Sequence, residues 1–199
     1  MFCVEVDHAW NPEVLKDFPG KFSKIVFLLN TAQTIVKLND EPFPFKDESK
    51  YVFSQNKIDT TLWKTAISLE FSNSLIESCG LFGIKPGKIH AIDTLEYRMC
   101  DHLSTIYRNE LICLFFMQPP GIKLIFLQDG LPQSCYFFSN DPNFRILELT
   151  RIWLSQLNAP KTALLMSDCA WLQVFLSDRQ VKVIDGFGLK QDMIKKLIS

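Results

Sequence analysis

Residues 110–138 read ELICLFFMQPPGIKLIFLQDGLPQSCYFF, and the fold is built outward from them. The run from Glu110 to Met117 is apolar without alternation, the pattern of a strand buried on both faces. Pro119, Pro120 and Gly121 turn the chain, and residues 122–128 form a second strand. Asp129-Gly130 is a strong hairpin signal, because both residues tolerate positive φ. Residues 131–138 then return antiparallel.

Downstream, Asp141-Pro142 places a capping residue and a first-turn proline at the start of a helix. Ile146, Leu149, Trp153 and Leu157 are its expected buried stripe. A strand at 162–166, a short helix at 170–176 and a strand at 181–184 follow. A last helix turns Leu189, Met193, Leu197 and Ile198 inward and Lys190, Lys195 and Lys196 outward.

Upstream, Ser74 with Glu77 has the form of a capping box, followed along the same helix by Leu75, Ile76 and Cys79. Gly83 and Pro86 stop that helix, and 88–92 is a short strand. Asp93 or Thr94 caps a helix to about Tyr107, with Leu95, Met99, Leu103 and Ile106 as its stripe. Residues 2–6, 24–29, 34–38, 51–54 and 62–71 read as further strands, and 39–50 as a polar, proline-containing loop. The expected class is α/β, a mixed sheet with flanking helices at 88–199. A smaller strand-rich α+β piece at 1–87 precedes it.

The 199 residues suffice for a core without disulfide or metal staples. Net charge is −1, with no long single-sign run, which gives no push toward nucleic acid. The 8 glycines fall well below the ~7% average and disfavour a function built on several glycine-rich phosphate loops. No apolar run approaches the ~20 residues of a membrane-spanning helix, so a soluble chain is expected, with any membrane link made through a partner. Six cysteines without a C-x-x-C pair read as small buried hydrophobes of a reducing compartment.

Five further stretches carry a resemblance. They are LIESCGLFGIKPGKIHAIDTLEYRM, the 110–138 hairpin, NFRILELTRIWL, APKTALLMSDCAWLQVFLS and VKVIDGF. In their order and spacing they resemble the second half of the actin-like proteins of type IV pilus and type II secretion assembly, the PilM and GspL cytoplasmic group. The likeness covers residues 62–188, about two thirds of the chain. It implies an actin-like (RNase H-like) subdomain, a short cytoplasmic peptide of a membrane-anchored assembly protein as ligand, and possible self-association. It also implies a cytoplasmic location at the inner face of a bacterial inner membrane.

The departures from that pattern bear on ATP. ATP-binding members carry Asp-x-Gly after the first strand of this hairpin, where the chain has Gln118-Pro119-Pro120-Gly121. Prolines remove main-chain N–H groups that would face phosphate. A Gly-Gly pair on the adenosine side is replaced by Ser167-Asp168, whose side chains crowd a close ligand. Near the N-terminus Asp7 is kept without the glycine of the first phosphate loop. Gln118, Pro119, Gly121, Ser167 and Asp168 are therefore degenerate loop positions, and no nucleotide cofactor is expected.

Other constellations are weaker. Cys100 and His102 point about 200° apart on a helix, and no spacing supports a metal site. Cys169 follows a strand and opens a helix, a setting that can activate a thiol, although elbow glycines are missing and a small buried residue beneath Trp171 explains it as well. Asp93 and Asp129 fit a cap and a hairpin turn, whereas Asp168 and Asp185 stay open. Phe43-Pro44-Phe45 sets aromatics in a polar loop, either as a partner-binding site or as a packed flap. The expectation is a non-catalytic cytoplasmic scaffold of pilus or secretion assembly. The alternatives are a divergent actin-like ATPase and a small α/β hydrolase using Cys169.

Overall fold

The computed structural model describes residues 2–6, 10–18, 24–30, 34–38, 43, 47–58, 61–118 and 121–198. The chain divides into two compact units, Met1–Tyr97 with Ile194–Ser199, and Arg98–Met193.

In the first unit, β1 (Phe2–Val6), β2 (Lys24–Leu29) and β6 (Lys85–Ala91) form a parallel sheet with β2 in the middle. Five successive buried residues mark β2 as covered on both faces. Val6, Phe27 and Leu29 pack there with Leu15 from a 3₁₀ turn (Pro12–Asp17), and the Trp10 ring stands edge-on to Phe27. Gly87 passes so close to β2 that a Cβ would run into the Ile25 carbonyl. A second, antiparallel sheet has β5 (Thr61–Ser68) between β3 (Thr34–Leu38) and β4 (Tyr51–Ile58).

The helix after β5 is α1 (Leu69–Leu81), and it begins earlier than its sequence suggests. Ser68 is its cap, with Oγ accepting the Phe71 N–H at 3.4 Å. Ser74 lies inside the helix and donates instead to the Phe71 carbonyl at 2.8 Å. The capping-box reading is corrected accordingly. The strand-like alternation of 62–71 conceals a junction at which strand passes directly into helix. Leu75 and Cys79 face the core as expected, while Ile76 is exposed. The helix ends in a Schellman motif: Ile84 N–H donates to Cys79 O, Gly83 N–H to Gly80 O, and Gly83 takes φ +64°.

After β6 the chain enters α2 (Ile92–Ile106), whose Leu95, Met99 and Leu103 are buried while Ile106 is exposed, against expectation. In the second unit β7 (Leu111–Gln118), β8 (Gly121–Gln128) and β9 (Leu131–Ser139) form the meander. The Asp129-Gly130 turn has φ +55° and +79°, as a type I′ hairpin requires. Gly130 also abuts Ser104, whose Cα a Cβ would approach to 2.5 Å.

The chain continues through α3 (Arg145–Leu154), β10 (Thr162–Leu165), α4 (Ala170–Ser177), β11 (Lys182–Asp185) and α5 (Phe187–Ile198). Strand order is β11-β10-β7-β8-β9, with β10 and β11 parallel to β7. One core gathers Phe115, Leu124, Phe126 and Phe138 with Leu149 and Trp153 of α3 and Leu172 and Phe175 of α4. Trp153 stands edge-on to Phe126 and Phe175. Ile146 and Leu157 do not join it: Ile146 is half exposed and Leu157 wholly so, which corrects the expected stripe of this helix. Asp141 Oδ1 accepts the Asn143 N–H in a turn, and the regular helix starts at Arg145.

Candidate functional site

In open α/β sheets ligands gather at the carboxyl ends of parallel strands. Here those ends are aligned by register. Leu165 of β10 lies opposite both Phe115 of β7 and Asp185 of β11. The alignment continues past the strands, with Met166 N–H donating to Phe115 O at 3.1 Å and Gly186 N–H to Leu165 O at 2.8 Å. Gln118 and Gly121 pair at the same end, and Ser139 pairs with Gly121. The topology thus brings Gln118, Gly121, Ser167 and Asp168 to one edge of one sheet. Asp7, Pro44, Phe45 and Pro119 lie outside the described residues.

Two glycines stand at this edge, and each is used by the protein itself. A Cβ on Gly121 would come within 2.5 Å of the Phe138 carbonyl oxygen and 2.6 Å of the Phe137 ring. A Cβ on Gly186 would come within 2.5 Å of Met166 Sδ. Both close spaces are filled by neighbouring chain, so neither glycine is open to a phosphate that would use it.

The carboxylates are also engaged. Asp168 Oδ1 accepts from Gln173 Nε2 at 3.1 Å, tying the loop to the first turns of α4. Asp185 Oδ1 accepts the Phe187 N–H at 2.8 Å and so satisfies the first main-chain donor of α5. Among the described residues, no group of three or more His, Cys, Asp or Glu gathers as a metal site would.

Cys169 precedes α4, and its carbonyl accepts from the Leu172 and Gln173 N–H groups. The thiol is buried, and burial pushes its pKa up. The Arg145 charge pulls it the other way without prevailing. Cys113, fully buried in β7, is raised far more. None of the six cysteines is joined in a disulfide.

One residue at this edge gave no sequence signal. Arg145, at the start of α3, lays its guanidinium 4.5 Å from the centre of the Trp171 ring. Its role depends on α3 meeting α4, which no local pattern encodes. Phe43 is half-buried with its ring 5.2 Å from that of Phe53.

At the far side of the sheet from β11, a groove of about 510 Å³ runs between edge strand β9 and α3. Tyr136 and Phe138 contribute from the strand, Glu148, Arg151 and Ile152 from the helix. Glu148 Oε2 accepts the Ser139 N–H at 3.0 Å. Gln156 Nε2 donates to the Tyr136 phenol oxygen at 3.3 Å, and such hydrogen bonds hold the phenol pKa below its ordinary value.

No protein-family model matches the chain, and a search of curated proteins finds no match either. Solved structures do match. A chain of a PilM-PilN type IV pilus biogenesis complex matches over 86% of this chain and 73% of its own length, with 12% identity and a TM-score of 0.60. A Bacteroides thetaiotaomicron protein with an actin-like ATPase fold and unknown function matches over 86% and 72%, with 9% identity and a TM-score of 0.57. The cytoplasmic domain of EpsL, an inner membrane component of the type II secretion system of Vibrio cholerae, matches over 84% and 82%, with 10% identity and a TM-score of 0.54. The chain has the actin-like fold that its sequence order suggested.

Proposed function

We propose that this protein is a non-catalytic, actin-fold scaffold of a pilus or secretion assembly, located in the cytoplasm at the inner face of a bacterial inner membrane. Its ligand is a short cytoplasmic peptide of a membrane-anchored partner. The observation that carries this reading is the state of the carboxyl edge. Gly121 and Gly186 are packed against the protein's own chain, and Asp168 and Asp185 are held by Gln173 and the Phe187 N–H. Support for the partner comes from the likeness to a PilM-PilN complex chain and to the EpsL cytoplasmic domain. Among the described residues no helix is long and apolar enough to cross a membrane.

The test has two arms. Co-expression with the membrane proteins encoded beside its gene should retain one of them through its cytoplasmic peptide, and retention of none overturns the scaffold role. Millimolar Mg-ATP should leave the melting temperature unchanged. A ligand at 100 times its Kd adds ~2.7 kcal/mol. At roughly 2–4 °C per kcal/mol for a chain of this size, a clear upward shift would restore the ATPase alternative.

A further inference from the structure

The outer face of α3 carries an apolar stripe in contact with solvent. Phe144, at the cap, is 55% exposed, Leu147 52% and Leu154 79%. Counted from Phe144, Leu147, Arg151 and Leu154 follow at the a, d, a, d spacing of a helical seam. At ~3.6 residues per turn the four fall within about 80° of arc. Leu149 and Trp153 lie opposite them, in the core. Single exposed apolar side chains are ordinary on a surface, but a heptad row of them has the form of the knobs of a helix–helix contact.

Charge selects what covers the stripe. Two of the charged residues of α3 are engaged within the fold: Arg145 lies over the Trp171 ring, and Glu148 Oε2 accepts the Ser139 N–H. Arg151, within the stripe, is exposed and has no ion pair among the described residues. A second copy does not bring an acid to it. Antiparallel pairing of Leu147 with Leu154 puts the two-fold axis between Thr150 and Arg151, so the two guanidiniums meet. The register that pairs Phe144 with Leu154 sets each Arg151 against Leu147 of the other copy, and parallel pairing sets Arg151 on itself. A lipid surface fits no better, since one cation falls short of the about four to eight basic residues that mark binding to anionic lipid. A helix of another protein can carry the acid.

We propose that the outer face of α3 docks an amphipathic helix of another protein, with apolar residues at heptad spacing and one Asp or Glu facing Arg151. The acid paired with Arg151 fixes the register of the contact, as a single polar residue does in a coiled-coil seam. This helix is additional to the membrane partner's peptide in the scaffold reading, and either interaction can exist without the other.

The probe is a phage-displayed library of three-heptad helices on an Ala, Gln and Lys framework, randomised at a, d, e and g and selected on the full chain. Enriched sequences should carry Leu, Ile or Met at a and d and share one acidic position. A fluorescein-labelled enriched peptide should bind saturably by anisotropy. Leu154→Gln and Arg151→Glu should each weaken it at least tenfold. Exchanging the shared acid for Lys should recover at least tenfold toward Arg151→Glu. Leu81→Gln, which removes an exposed leucine of α1, should leave binding within twofold. Circular dichroism should show each variant folded, with Leu147→Gln taking the place of Leu154→Gln if that variant is not. No enrichment, binding that ignores either α3 substitution, or equal loss in Leu81→Gln overturns the proposal. So does a concentration-dependent dimer in sedimentation that Leu154→Gln abolishes, since a second copy would then cover the face. Flotation with phosphatidylcholine–phosphatidylserine vesicles that Leu154→Gln abolishes overturns it as well, since a membrane would then cover it.

Discussion

Gly121 and Cys169 stand at the carboxyl end of the parallel strands, and both are committed to packing. The space beside Gly121 is bounded by the Phe138 carbonyl, which cannot move without breaking the β8–β9 ladder. Gly121→Ala is therefore expected to lower stability by about 1–3 kcal/mol in urea unfolding, the usual cost of an overpacked site. The cysteines give a pH dependence. Burial raises the thiols of Cys79, Cys113 and Cys169, so the native state keeps protons that the unfolded chain releases near pH ~8.5. Their contribution is fully present below that pH and lost as pH rises above it. Urea midpoints should fall between pH 8 and pH 10, less steeply in Cys113→Ala than in the parent chain. For the same reason Cys169 should react with iodoacetamide more slowly than the partly exposed Cys3 at neutral pH, as peptide mass spectrometry would read. At this scale the sequence was informative about glycine poverty. It was silent about Arg145, whose partner Trp171 lies in another helix.

Among the elements, α1 separates two kinds of serine. Ser68 holds a main-chain N–H that has no partner within the helix, whereas Ser74 returns its hydroxyl to a carbonyl already bonded in the helix. Ser68→Ala should cost about 1 kcal/mol in thermal or urea unfolding. Ser74→Ala should stay within about 0.5 kcal/mol, and the reverse order would restore Ser74 as the start of the helix. The misplaced start shows what local pattern can and cannot deliver. The Asp129-Gly130 hairpin was legible because its φ requirement is met by those two residues alone. The β5–α1 junction was not, because LWKTAISLEF keeps strand-like alternation past the point where the backbone turns helical. The α3 stripe was half legible. Leu149 and Trp153 follow from helical spacing, but burial at Ile146 and Leu157 depends on how far the sheet extends beneath them.

For the whole molecule, burial predicts where the backbone opens last. β7 and β8 are interior strands with nearly unbroken burial, and β2 fills the same position in the first unit. β11 is a four-residue edge strand with largely exposed side chains. Hydrogen exchange followed by mass spectrometry should find the slowest amides in 111–118, 121–128 and 24–29 and much faster exchange in 182–185. Equal protection across the five-stranded sheet would contradict this gradient. The meander and the strand–helix alternation were readable at this level, and they leave few right-handed arrangements for the order of the strands. The groove beside β9 was not readable, since it needs α3 in place to supply Glu148 and Arg151.

The division of the chain also bears on its synthesis. The first unit is made of Met1–Tyr97 and Ile194–Ser199, with all of Arg98–Met193 between them. Translation proceeds at ~5–20 residues per second, so the opening strands wait several seconds on the ribosome before residues 194–199 exist. The second unit, contiguous in sequence, has every residue it needs before the first does. A nascent chain is thus expected to mature from its middle outward, with the strands made first among the last to reach their final stability.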